Sequence, residues 1–92
     1  MKKYLGPLEE PAFVCSHVFR KEAPALLVSR ADGDWQFLCG GQHDANEKPH
    51  VIGLNHLFED DPTLCAIKGL PVNWEAERDA VGNPWIKRGR LG

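Results

Sequence analysis

No run of apolar residues in this chain extends beyond a few positions, far short of the roughly 20 that cross a bilayer as a helix. A transmembrane helix is excluded and a soluble, non-membrane protein is expected. Basic charge is also scarce. Eleven Lys and Arg stand against thirteen Asp and Glu, so the net charge of -2 offers no overall positive field for phosphate backbones, and no nucleic acid partner is expected. Cysteine is limited to Cys15, Cys39 and Cys65, an odd and widely spaced set that argues against a disulfide scaffold and for free thiols in a reducing cytoplasm. The opening Met1-Lys2-Lys3 has the basic start of a secretory leader, but Pro7 and Glu9-Glu10 interrupt it before any apolar stretch, so a cytoplasmic location is expected. There is no internal repeat and no low-complexity tract.

What is present is enough for one core. Ninety-two residues, 42% of them hydrophobic and with three tryptophans, predict a single folded domain over 1–92. Residues 1–11 read as a lead and 86–92 as a mobile tail. From Ala12 to Arg20, strand alternation sets Phe13, Cys15, His17 and Phe19 against Val14, Ser16 and Val18. Lys21-Glu22-Ala23-Pro24 reads as a turn into a second strand, Ala25 to Ala31. Asp32-Gly33-Asp34 is a hairpin signal into a third, Asp34 to Cys39, closed by Gly40-Gly41. Gln42 to His50 is polar and aperiodic, a surface loop. Leu54, Leu57 and Phe58 then follow helical spacing, predicting a helix over Leu54–Glu59. Asp61-Pro62 starts a second helix, Pro62–Lys68, with Asp61 as its cap. Val72 to Arg78 alternates as a fourth strand, although Glu-Ala-Glu-Arg is also good helix material. The predicted fold is α+β: a small antiparallel sheet, a three-stranded meander plus a fourth strand, packed with two short helices. Its core is expected at Val14, Val18, Leu27, Phe37, Leu54, Leu57, Phe58, Leu64, Ile67 and Leu70.

Chemistry is thinly signalled. Cys15 with His17 on one strand, and Cys39 with His43 across the Gly-Gly turn, are short pairs of a kind zinc accepts, but the paired C-x2-C or H-x3-H knuckles are missing. Cys39, His43 and Asp44 form the only compact nucleophile, base and acid trio, yet no basic cluster or helix start is evident to lower the thiol pKa. The reading therefore leans away from an enzyme, with no catalytic residues, no metal and no cofactor assigned. Loops on rigid sheets carry binding more often than cores do. Gln42, His43, Asp44 and His50 on the loop, with Asp34 and Trp35 on the adjoining hairpin, are the candidate binding residues.

Several motifs in order carry a family resemblance. They are Phe13-Val14-Cys15-Ser16, Asp32-Gly33-Asp34-Trp35-Gln36-Phe37 followed by Gly40-Gly41, Val51-Ile52-Gly53-Leu54-Asn55, Asp61-Pro62, and Leu70-Pro71 through Glu77-Arg78. Together they resemble a family of small bacterial α+β proteins, once a domain of unknown function and now grouped with the immunity proteins of polymorphic-toxin systems. The chain has Asp-Gly-Asp-Trp where that family tends to have Asp-Ser-Gly-Trp, marking a distinct branch. The resemblance implies a binding protein that neutralises a toxin-like protein partner by contact. The alternative is a small metal- or ligand-binding domain using Cys39, His43 and nearby histidines. Oligomeric state is left open by both.

Overall fold

The computed structural model describes residues 10–41 and 48–89. Six short strands alternate with short helical segments: β1 (Pro11–Val14), α1 (Ser16–Phe19), β2 (Leu27–Ser29), a 3₁₀ turn (Ala31–Gly33), β3 (Trp35–Leu38), β4 (His50–Gly53), α2 (Leu54–Asp60), a 3₁₀ helix (Pro62–Ile67), β5 (Trp74–Glu77) and β6 (Ile86–Gly89). The strands form one sheet in the order β4-β1-β3-β2-β5-β6. β1 and β3 run parallel and every other pair is antiparallel.

The chain is α+β as expected, but the small antiparallel sheet is overturned: the sheet has six strands and is mixed. The β2–β3 hairpin forms where Asp32-Gly33 marked it, both residues taking the left-handed backbone that such a turn requires. The first predicted strand, in contrast, stops at Val14. Its antiparallel partner β4 begins opposite Val14, at His50 after Pro49, which has no N–H to donate, so a longer β1 would run on with unpaired backbone groups on that side. The chain instead turns at Cys15 into the helical turn α1, whose first bond runs from the Phe19 N–H to the Cys15 carbonyl. Ile86–Gly89 pairs along β5, with Arg88 bridging Glu75 and Glu77. β4, lying partly in the predicted loop, completes the other edge against β1.

One row of cross-strand partners, His50, Val14, Phe37, Val28, Ala76 and Lys87, shows how the core is built. Paired residues share a face of the sheet, and the four central ones are fully buried. α2 lays Leu54, Leu57 and Phe58 over that face, Phe58 meeting Phe37 edge-on at 6.4 Å. The 3₁₀ helix adds Leu64 and Ile67, and Leu70 closes the layer. Of the expected core, Val18 and Leu27 are only half-buried, while Ala12, Ala25, Val28, Trp35 and Ala76 join it.

A charged group ties these layers together. The Arg78 side chain is buried, donating from Nε and Nη2 to the Ala25 carbonyl (3.2 and 2.9 Å), from Nη1 to the Thr63 hydroxyl (2.7 Å) and from Nη2 to the Asp61 carboxylate (3.0 Å). Its guanidinium also lies 4.3 Å from the centre of the Trp85 ring. Asp61 caps the 3₁₀ helix as expected, accepting from the Thr63 N–H at 3.0 Å with Pro62 beside it at the helix start. Burial pushes the Asp61 carboxyl up, but hydrogen bonds from Thr63 and Arg78 outweigh it and hold the group below its ordinary value.

Two stability outcomes follow from this geometry. Asp61→Ala should cost about 3 kcal/mol in urea denaturation, more than the roughly 1 kcal/mol of a lost cap, because a buried guanidinium loses its counter-charge. A carboxyl lowered by folding stabilises above its unfolded pKa, about 3.9, and loses that contribution as pH falls through the folded value. The advantage of the wild type over Asp61→Asn should therefore be full at neutral pH and fade below about pH 4. The second concerns Lys21, which ends α1 at φ 61°, a position that glycine usually fills. Lys21→Gly should raise the unfolding midpoint, by the equivalent of about 1 kcal/mol, since the exposed Lys21–Asp60 pair is worth less than the relieved strain.

Candidate metal centre

Parallel pairing carries β1 and β3 out of the sheet in the same direction, and each exit bears a cysteine. Cys15 directly follows β1 and Cys39 directly follows β3. The Cys15 N–H extends the ladder by one bond, to the Phe37 carbonyl at 3.3 Å, which keeps the two exits together. α1 begins at Ser16, and this turn brings His17 back over both. The Cys15 Sγ, a His17 ring nitrogen and the Cys39 Sγ all lie within 4.8 Å of one another. His17 Nδ1 is 3.5 Å from Cys39 Sγ.

Gly40, at φ 82°, turns the chain sharply after Cys39, and the Gly41 N–H comes back to the Cys39 sulfur at 3.4 Å. Burial pushes the Cys39 thiol above its ordinary value; the Gly41 N–H works against this and the neighbouring Cys15 adds to it. Cys15 is 5% exposed and Cys39 9%, with His17 half-buried above them.

No family model, curated protein or solved structure matches the chain. Among the described residues, Cys15 and His17 of the first short pair and Cys39 of the second form one cluster. His43, Gln42 and Asp44 lie outside the described residues. The nearest sequence signal for the cluster is the repeated strand ending, Phe13-Val14-Cys15 and Phe37-Leu38-Cys39.

The remaining candidate binding residues are spread out. Trp35 is 3% exposed and packs in the core, stacked near Phe37 with the Arg30 guanidinium 4.5 Å from its ring centre. Asp34 is exposed at the entry to β3. His50 pairs with Val14 near the opposite end of the strands, its ring stacked on Phe19 at 4.1 Å. Asp34 and His50 are thus at different ends of the sheet.

Accessibility orders the thiols. Cys65 is exposed and the other two are buried, so a limiting dose of iodoacetamide should alkylate Cys65 first and leave Cys15 and Cys39 largely unmodified. Peptide mass mapping of the labelled protein checks the order.

Proposed function

We propose that this chain is a small metal-binding domain that holds a thiophilic divalent ion, with zinc as the reference ion, through Cys15, His17 and Cys39. The single observation that carries the reading is the mutual approach of all three donor atoms within 4.8 Å. Zinc bonds sulfur at about 2.3 Å and imidazole nitrogen at about 2.0 Å, so a tetrahedral ion sets S and N about 3.5 Å apart and two sulfurs about 3.8 Å apart. The Cys39 and His17 atoms already stand at 3.5 Å. A thiol hydrogen bond to imidazole would account for that pair alone, but it does not require a second thiol converging on both atoms. Two thiols and an imidazole favour zinc over magnesium or calcium, which take oxygen ligands.

An ion would replace the protons of both thiols, reversing the preference that burial imposes on Cys39. Three protein ligands leave one tetrahedral position for water or a fourth donor. Proton competition makes the affinity fall as pH falls.

Chelator-treated protein titrated with cobalt(II), the spectroscopic stand-in for zinc, is expected to bind one ion per chain and to show a thiolate charge-transfer band that zinc bleaches. Cys39→Ser, Cys15→Ser and His17→Gln should each weaken binding by roughly a hundredfold, while Cys65→Ser leaves it unchanged. Thermal melts confirm that each variant is folded, and His17→Gln, at a half-buried position, tests the centre if a cysteine variant fails that control. Lack of the band in folded wild type, or equal loss in Cys65→Ser, overturns the reading.

A further inference from the structure

A cavity apart from the thiol cluster is lined in part by Val18 and Phe19 of α1. Of about 360 Å³, it opens between the segment Lys21–Ala25 and α2, within the size range of small-molecule sites. Its floor is apolar, formed by Val18, Ile52, Leu57 and Leu64. Its rim is charged and unbalanced, with Glu22, Asp60 and Asp61 against Lys21 alone. Asp61 is matched by Arg78 at 3.0 Å and Asp60 by Lys21 at 3.4 Å, which leaves the rim negative at Glu22.

We propose that this cavity binds a small aliphatic primary amine in its ammonium form, a hydrocarbon chain ending in a single positive charge. The floor accepts the chain and the rim accepts the charge; a carboxylate of the same length would meet Glu22 and Asp60, and an alcohol would gain the floor only. The protein carries an internal imitation of that ligand. Lys21 is itself an alkyl stem with an ammonium at Asp60, held there from a strained left-handed backbone position that a glycine would occupy without cost. Its side chain is 72% exposed, so the contact with Asp60 is weak and readily exchanged for that of a ligand whose stem is buried. The proposal is independent of the thiol cluster, because none of its groups binds there.

The test is an NMR-monitored titration of the whole chain with n-hexylamine, 1-hexanol and hexanoate at neutral pH. Hexylamine is expected to saturate with shifts at Val18, Leu57 and Leu64, at least about tenfold more tightly than hexanol, with hexanoate weakest. Glu22→Gln combined with Asp60→Asn should bring hexylamine down to the hexanol level without changing hexanol. Lys21→Gly should tighten hexylamine several-fold by removing its internal competitor. These rim positions are largely exposed, and thermal melts verify that the variants fold. Equal binding of amine and alcohol, no saturation with amine, or an unchanged amine affinity in the double variant overturns the proposal.

Discussion

Two parallel strands cannot be joined by a tight turn, because the chain must travel the length of the sheet to start the second in the same direction. β1 and β3 are such a pair, and the path between them, through α1, β2 and the 3₁₀ turn, determines most of the molecule. It sends β2 to the far side of β3, where it meets β5, and leaves the free side of β1 for β4. It also makes both parallel strands exit at one end of the sheet. Had β1 and β2 formed a hairpin, Cys15 and Cys39 would not leave from neighbouring strands of the same direction, and the donor cluster would have no framework.

Parts of this arrangement were legible in the sequence wherever the signal was local. Leu54, Leu57 and Phe58 stand one helical turn apart and form the buried stripe of α2; Asp61-Pro62 starts a helix because one residue accepts the orphan N–H and the other lacks one. Asp32-Gly33 supplies the backbone freedom of the β2–β3 turn. What was not legible depends on partners distant in sequence. The alternation from Ala12 to Arg20 is equally good before and after Val14, and the stop there comes from pairing, since β4 begins at His50 opposite Val14. β4 and β6 are four-residue edge strands whose assignment comes from pairing with β1 and β5, not from any pattern of their own. The centre follows the same rule: each cysteine was visible beside a histidine, but the grouping of Cys15, His17 and Cys39 depends on strand direction, which periodicity does not encode.

Two of the local sequence motifs serve the framework. Asp61-Pro62 and Glu77-Arg78 meet at the buried guanidinium, where the helix cap and the end of β5 are joined through one charged contact. A buried pair of this kind is weak evidence for net stability, since desolvation cancels much of the attraction. The guanidinium satisfies the Ala25 carbonyl, the Thr63 hydroxyl and the Asp61 carboxylate together, and an alternative packing of the 3₁₀ helix would abandon these contacts while leaving the charge buried.

α1 is where framework and chemistry meet. Four residues are too few to hold a helix by propensity, because nucleation costs more than so short a segment returns. Its position is instead set from outside: the Cys15 carbonyl starts it, the His17 carbonyl receives the Glu22 and Ala23 N–H groups at 2.8 and 3.2 Å, and Phe19 stacks on His50. His17 thus faces the two cysteines through its ring while its carbonyl anchors the segment that lines the cavity. An ion drawing on the imidazole and a ligand resting on Val18 would act on one short turn, and by linkage any effect of one on the other's affinity must be returned in equal measure.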